Sequence, residues 1–137
     1  MNRASINPWD WGLQFGMDQA QLVTGLNELL HCSGQTALVP DPEAHNGIRV
    51  EHEGDMRGQI ELSLAHVDAI LAHAGMDRTN LLSMRIFVTD IDAFSEHFDV
   101  YVDWLRPAGI RLPMSLIGVS QLARPGLLIE IEPTAGR

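Results

Sequence analysis

The chain has 137 residues, and its nine basic and eighteen acidic residues give a net charge of −9 at pH 7. A hydrophobic content of 45% and a charged content of 20% are ordinary for a soluble globular protein. An acidic surface repels phosphate backbones, which argues against nucleic acid as the main partner. The single cysteine excludes an intramolecular disulfide and a zinc ribbon.

The sequence contains no recognisable targeting or membrane segment. Its N-terminus lacks the apolar run of a signal peptide, and no stretch approaches the roughly 18 apolar residues that a membrane span needs. We therefore expect a cytoplasmic protein with one domain over residues 1–137 and no membrane partner. Residues 1–14 are expected to be irregular, with Trp9 and Trp11 either stapling this segment to the core or forming a lid over a cleft.

Apolar spacing predicts five strands and two helices in the order β-β-α-β-α-β-β. Asp55 is expected to cap the first helix and Asp92 the second. The two helical stripes are Ile60, Leu64, Val67 and Leu71, and Phe94, Phe98, Tyr101 and Leu105. The strands are expected at residues 19–23, 28–33, 82–88, 115–120 and 127–132, with the first two paired as a hairpin and a long loop over residues 37–54.

This order predicts an α+β fold in which two helices cover one face of a sheet. The strands hold more apolar residues than one covered face requires. Leu81, Phe87, Leu116 and Leu128 are expected on the second face. A second apolar face is usually buried against a partner, so we expect an oligomer.

Several short motifs occur in a specific order along the chain. They are Cys32-Ser33-Gly34-Gln35, Gly54-Asp55-Met56 with Gln59, Ala72-His73-Ala74-Gly75-Met76, Phe87-Val88-Thr89-Asp90 with Phe94, Gly118-Val119-Ser120-Gln121-Leu122 and Glu130-Ile131-Glu132. In this order and spacing the chain resembles the Rid family of reactive-intermediate deaminases, also called the YjgF or RidA family. The resemblance runs from about Phe15 to the C-terminus.

The resemblance implies a chorismate-mutase-like fold with a mixed sheet, a homotrimer, and ligand pockets in the clefts between subunits. It also implies hydrolysis of enamines or imines without a cofactor. Members of the family are often labelled endoribonucleases. The sequence lacks the basic stripe and stacking aromatics that RNA cleavage favours, so we do not expect that activity.

The resemblance also implies a ligand pocket in which three polar residues are replaced. Met114 stands where deaminase members have an arginine that grips the substrate carboxylate. Met17 corresponds to a tyrosine and Phe98 to an asparagine. Leu116 is also expected among the ligand-binding residues. A pocket with these side chains favours a less charged ligand, because a thioether offers no hydrogen-bond donor to a carboxylate.

The remaining pocket residues match the family pattern. Ser33 and Gly34 are expected at the floor of the cleft, and Glu130 corresponds to the glutamate that positions the attacking water. The alternative for Glu130 is a solvated side chain on a strand edge. Arg111 is a candidate substitute for the missing arginine, or it forms a surface or interface ion pair.

Other reactive side chains carry weaker expectations. Cys32 is expected to be an inert buried thiol rather than a nucleophile. The residues Glu51-His52-Glu53 with Asp55 are expected to form a solvated acidic loop rather than a metal site. His66 and His73 are expected at the surface or an interface.

Two functional hypotheses remain open at this point. The first is a hydrolase of an enamine-type or imine-type reactive intermediate, with a substrate preference altered by Met114. The second is a trimer that binds a small molecule or regulates a partner without turnover. Retention of Glu130 and Ser33 favours the first hypothesis, and the apolar replacements favour the second.

Overall fold

The computed structural model describes all residues of the chain, Met1–Arg137. Its strands are β1 (Asn2–Ile6), β2 (Ala20–Thr24), β3 (Leu29–His31), β4 (Leu38–Pro40), β5 (Ile48–Val50), β6 (Leu81–Val88), β7 (Met114–Gly118) and β8 (Ile129–Gly136). Its α-helices are α1 (Met56–His73), α2 (Ile91–Glu96) and α3 (Phe98–Leu105). Short 3-10 helices lie at Leu13–Phe15, Arg78–Asn80 and Arg106–Ala108. None of the helices has both the length and the hydropathy needed to cross a membrane.

The central sheet has four strands in the order β3-β8-β6-β7. β8 runs antiparallel to both β3 and β6, whereas β7 runs parallel to β6. The sheet is therefore mixed, and the predicted α+β class is confirmed. β1 pairs with β2, and β4 pairs with β5, in two separate antiparallel ribbons.

Two expectations about the N-terminal third of the chain are wrong. Residues 2–6 are not irregular but form β1, which pairs along its whole length with β2. The predicted hairpin between β2 and β3 is also absent, because β3 pairs with the end of β8 instead. β8 extends to Gly136, beyond the residue at which we expected it to stop, and so provides that second partner.

The hydrophobic core lies between α1 and the sheet. Asp55 caps α1 as predicted, with its side chain accepting a hydrogen bond from the Gly58 amide at 3.0 Å. The predicted stripe of α1 is buried against β6 and β8, and α3 packs beside it. The fully buried members of this core include Ile60, Leu64, Val67, Leu71, Met84, Ile86, Ile129 and Ile131.

The second predicted helix is divided at His97 into α2 and α3. Its N-cap is Asp90 rather than Asp92, because the chain enters the helix directly after β6 and the Asp90 side chain accepts from the Ala93 amide at 2.9 Å. The apolar stripe nevertheless keeps its expected direction. Phe94, Tyr101 and Leu105 are buried in the core, and Phe98 packs against it.

The opposite face of the sheet differs from the expectation of a uniformly apolar surface. Leu116 pairs with Ile86 and therefore lies on the helix-covered face, which corrects its predicted placement. Leu81 is also in the core, because the pairing of β6 with β8 is irregular between Leu81 and Ser83. Phe87 does lie on the open face, where it is accompanied by an ion pair between Arg85 and Glu132.

Candidate functional site

An apolar cavity of about 470 Å³ lies between the N-terminal segment, the helices α2 and α3, and β7. Its lining consists of Trp11, Phe15, Met17, Phe94, Ser95, Phe98, Met114 and Leu116. Ser95 is the one polar member, and its hydroxyl already donates to the Ile91 carbonyl at 2.8 Å. The cavity therefore offers a ligand hydrocarbon, aromatic and thioether surface, and no charged group.

The wall formed by β7 is a direct result of its register with β6. Met114 lies opposite Met84, and Leu116 lies opposite Ile86. Met84 and Ile86 are both buried in the core beneath the helices. Since side chains alternate between the faces of a strand, Met114 and Leu116 point to this same side.

The helical wall is a cluster of aromatic rings centred on Phe98. The ring centroid of Phe98 lies 6.2 Å from that of Phe15 and 5.9 Å from that of Phe94, and both pairs meet edge to face. Tyr101 lies behind Phe98, with ring centroids 5.6 Å apart. Phe98 is therefore in contact with aromatic rings on three sides.

The roof of the cavity is formed by the segment between β1 and β2. Trp11 and Phe15 line the cavity although 54% and 42% of their surfaces are exposed. Trp9 is 63% exposed and does not line the cavity. Of the two roles considered for the tryptophans, the position of Trp11 agrees with a lid.

Both ends of this roof segment are held by the buried carboxylate of Asp18. The Asp18 side chain is 1% exposed and is surrounded by four hydrogen-bond donors. These are the Ser5 hydroxyl at 2.7 Å, the Asn7 amide at 2.8 Å, the Gln21 amide at 2.8 Å and Nε of Arg111 at 3.1 Å. Burial alone raises the pKa of Asp18, but these donors outweigh burial and lower its pKa to about 2.

Arg111 is part of this cluster rather than of the apolar cavity. Its Nε donates to Asp18, and its backbone carbonyl accepts from Gln21 Nε2 at 2.6 Å. It is absent from the cavity lining. The structure therefore places Arg111 in the ion pair that was the alternative to ligand binding.

Glu130 lies on the other side of the sheet. It pairs with Phe87 on β6. Because side chains alternate along a strand, the Glu130 side chain points away from the face on which Ile129 and Ile131 are buried. Its carboxylate packs over the backbone of Gly34, so closely that a Cβ atom at Gly34 would lie 1.8 Å from Glu130 Oε1. Two backbone hydrogen bonds between Gln35 and Ile131, of 2.7 and 2.8 Å, hold the loop after β3 against β8.

The expected site residues thus fall into two groups on opposite faces of the sheet. Met17, Phe98, Met114 and Leu116 converge on the apolar cavity. Glu130 lies on the open face with its carboxylate packed over Gly34, and Ser33 directly precedes Gly34 in the loop after β3. Within one copy of the chain the sheet separates the two groups.

The sequence did not identify Phe15, Phe94 and Ser95 as cavity residues. It also did not identify Asp18 as the carboxylate that holds the two ends of the roof segment. Phe94 was recognised only as a member of a helical stripe, which does not distinguish a core residue from a cavity wall. Asp18 stands alone before a strand and gives no local signal. Its role depends on contacts with residues as distant in sequence as Arg111.

Cys32, His66 and His73 belong to neither group of site residues. Cys32 is half-buried, and burial raises the pKa of its thiol, which disfavours the reactive thiolate. His66 Nδ1 lies 3.0 Å from the Thr36 carbonyl, and His73 Nδ1 lies 2.8 Å from the Ala69 carbonyl. No three His, Cys, Asp or Glu side chains converge as ligands of a metal ion would.

Comparison with known proteins identifies the family. Residues 19–136 match the family model described as endoribonuclease L-PSP. The chain belongs to this family. Its relatives also carry the Rid and YjgF names, so the predicted family is confirmed.

Individual relatives agree with this chain in sequence and in fold. A RutC family protein of Aquifex aeolicus is 31% identical over 97 residues, which cover 71% of this chain and 72% of that protein. YyfB, a Rid family protein of Yersinia pestis, matches with a TM-score of 0.80 and 28% identity over the whole of both chains. TdcF of Escherichia coli, solved with bound serine, matches with a TM-score of 0.65 and 26% identity, covering 98% of this chain and 91% of its own.

Proposed function

We propose that this protein is a Rid-type hydrolase of a C=N bond in an imine or enamine, and that its site is assembled between two copies of the chain in a homotrimer. The contact between Glu130 and Gly34 carries this proposal. It gives a carboxylate a fixed place beside free backbone groups on an open sheet face. Neither Glu130 nor Gly34 lines any of the five main pockets, and the apolar cavity of a neighbouring copy would supply one.

The polar group would provide the chemistry. Glu130 would orient a water molecule and accept a proton from it as the water oxygen forms a bond to the imine carbon. The proton taken up by Glu130 passes to the imine nitrogen as the C=N double bond becomes a single bond, which gives a carbinolamine. Glu130 then transfers the hydroxyl proton of the carbinolamine to nitrogen as the C–N bond breaks, and ammonia and a carbonyl compound leave. Ser33 and Gly34 would hold the nitrogen or the oxygen that replaces it. An enamine would enter the same route after it accepts a proton on carbon.

The apolar group would provide substrate preference. Met114 occupies the position that the resemblance assigns to the carboxylate-binding arginine. No cationic side chain lines the cavity. A substrate with a carboxylate next to the reacting carbon would therefore lose charge-assisted hydrogen bonds, each worth about 1.5–3 kcal/mol. We propose that the substrate preference differs from that of deaminases that bind small α-imino acids.

RNA cleavage is not part of the proposal, although the family description names it. The chain carries a net charge of −9, and neither residue group contains an unpaired basic side chain. Binding of a polyanion depends on neutralisation of phosphates by Lys and Arg. The proposed partners are a small molecule and further copies of the chain.

The apolar lining favours one alternative function. A cavity whose single polar side chain, Ser95, already donates to the Ile91 carbonyl suits storage or sensing as well as catalysis. In that alternative the trimer binds an apolar metabolite without turnover. Glu130 would then have no role in a reaction.

Subunit complementation tests the composite site. Glu130→Gln removes the proposed base, and Phe98→Asp places a charge in the aromatic wall. Each variant alone should lose at least about a hundredfold in imine hydrolysis, the usual contribution of a general base. When the two chains are mixed by co-refolding, about a quarter of the interface sites should combine an intact Glu130 with an intact cavity.

Recovered activity in the mixture would support both the hydrolase and its assembly across subunits. Light scattering first establishes that each variant keeps the oligomeric state of the wild type. If both variants assemble but the mixture stays inactive, the composite site is wrong. If the wild type itself accelerates no imine, the hydrolase is wrong and the binding trimer takes its place.

A further inference from the structure

The aromatic cavity has a chemistry that indicates which group it binds. We propose that it selects an uncharged aromatic ring, so that the substrate is an aryl-bearing imine or enamine with no carboxylate beside the reacting carbon. The ring preference follows from the cavity itself. The identification of that ligand as a substrate rests on the proposed function.

The first argument is the absence of charge. No basic side chain lines the cavity, and the nearby Arg111 is bound to Asp18. A carboxylate buried against these walls would lose its hydration without gaining a partner, which is costly. The net charge of −9 opposes the approach of an anion as well. A neutral ligand meets neither obstacle.

The second argument is the type of surface presented. Trp11, Phe15, Phe94 and Phe98 supply four aromatic rings, and Met17 and Met114 supply two thioethers. Aromatic rings attract a further ring through edge-to-face and offset contacts, and sulfur makes favourable contacts at ring edges. An aliphatic group of equal size would gain the apolar burial but not these additional contacts.

The third argument is size. The cavity volume of about 470 Å³ lies within the range of about 300–1,000 Å³ typical of sites for drug-sized ligands. A three-carbon imino acid would leave most of this apolar surface in contact with water. An aromatic ring with a short chain that reaches towards the neighbouring Glu130 uses the space and leaves the C=N bond near the carboxylate.

A matched set of unreactive probes tests the ring preference. The probes are 3-phenylpropanol, its acid 3-phenylpropionate, and 3-cyclohexylpropanol, each titrated into the assembled wild-type protein by calorimetry. We expect 3-phenylpropanol to bind at least about tenfold more tightly than the acid, because the acid buries an unpaired charge. It should bind about two- to tenfold more tightly than the cyclohexyl compound, because only the phenyl ring forms aromatic pairs.

Two variants in the roof locate the binding site. Trp11→Ala removes part of the cavity roof, whereas Trp9→Ala removes a somewhat more exposed tryptophan of the same segment that does not line the cavity. We expect Trp11→Ala to weaken 3-phenylpropanol binding at least about fivefold, because it removes a large aromatic contact. Trp9→Ala should leave the binding constant unchanged.

Several results would overturn the inference. One is equal or tighter binding of the acid by the wild type, and another is equal binding of the cyclohexyl compound. A third is complete failure of 3-phenylpropanol to bind, as expected if a side chain of a neighbouring copy fills the cavity. Equal losses in Trp9→Ala and Trp11→Ala would also overturn it.

The binding measurements are independent of turnover, so the two proposals can fail separately. If 3-phenylpropanol binds as expected but no imine is hydrolysed, the proposed function fails and the ring preference stands. If wild type hydrolyses 2-iminopropionate as efficiently as the imine of phenylacetaldehyde, the hydrolase stands and the ring preference fails.

Discussion

The two faces of the central sheet are built on different physical principles. On the helix-covered face, the cavity is a continuation of the hydrophobic core, with walls of aromatic rings and thioethers. On the open face, the Glu130 carboxylate packs over the Gly34 backbone so closely that a Cβ atom at position 34 would displace it. In the proposed function, the cavity selects the ligand and Glu130 carries out the reaction. Because the sheet separates the two groups, we expect substitutions in one group to leave the conformation of the other unchanged.

The largest effect on stability is expected from the aromatic wall. Phe94→Ala removes a ring that is 1% exposed, and it should lower the free energy of unfolding by about 3–5 kcal/mol because of lost burial and the void left behind. Urea denaturation measures this change. Phe15→Ala is the matched control, because Phe15 contributes the same ring to the roof but is 42% exposed. Equal losses of unfolding free energy in Phe94→Ala and Phe15→Ala would show that the two rings contribute equally to the core.

The sharpest test of the open face is Gly34→Ala. The added Cβ would lie 1.8 Å from Glu130 Oε1, so the carboxylate must turn away. Imine hydrolysis should fall at least about a hundredfold, as expected for a displaced general base. The free energy of unfolding should change by less than about 1 kcal/mol, since a flexible side chain can move.

Gly118→Ala provides the control for this substitution. A Cβ at Gly118, the last residue of β7, would meet the flexible end of Ile91 at 3.2 Å and lies outside both residue groups. It should change neither activity nor stability appreciably. Full activity in Gly34→Ala would remove Glu130 from the proposed reaction.

The contribution of Asp18 to the free energy of unfolding should depend on pH. The pKa of Asp18 is about 2 in the folded protein, below its ordinary value of 3.8, so folding favours the ionised form. The corresponding stability, roughly 2 kcal/mol, is complete above about pH 4 and is lost as the pH falls through 2. Urea denaturation between pH 2 and pH 6 should show this loss.

Asp18→Asn isolates the contribution of this carboxylate. The variant should be less stable than the wild type at pH 6, and the difference should shrink towards pH 2 as Asp18 becomes protonated. If the difference in unfolding free energy between wild type and Asp18→Asn stays constant from pH 6 to pH 2, ionisation of Asp18 does not contribute to stability.

The smallest expected change is a gain of activity in Met114→Arg. An arginine here would point into the cavity beside the aromatic wall and could grip a carboxylate with two hydrogen bonds. Hydrolysis of 2-iminopropionate, generated from alanine by an amino-acid oxidase, should rise by about tenfold in kcat/KM, because part of the binding energy offsets burial of the charge. If the wild type is already as fast, another group holds the carboxylate.

Local signals in the sequence predicted the helices and the central strands well. The first helix was found from a capping aspartate and a stripe of four apolar residues, and both depend only on neighbours in the chain. The pairing of β3 with β8 joins residues that are more than a hundred positions apart, and no local pattern distinguishes it from a hairpin with β2. β1 was missed because Asn2–Ile6 has little alternation and gains its order from β2.

The candidate site was predictable only where it coincided with a known pattern. Met17, Phe98 and Met114 were expected together from the resemblance, and the structure brings them to one cavity. Spacing alone placed Leu116 on the wrong face, because the register with β6 decides which residues of β7 face the helices. The contact of Glu130 with Gly34 depends on a loop held by Gln35, and its distance could not be read from composition or periodicity.

The Asp18 cluster holds the two ends of the roof segment close together. Asn7 precedes the roof segment and Asp18 follows it, and their side chains are hydrogen-bonded to each other at 2.8 Å. Residues 8–17 therefore form a loop whose two ends are held together by a hydrogen bond that does not depend on a ligand, as in an Ω-loop. We expect that a loop of similar length can replace it if the replacement keeps the contacts of Phe15 with Phe98 and of Met17 with Leu112. The same scaffold could thus acquire a new ligand preference through replacement of one short stretch of chain.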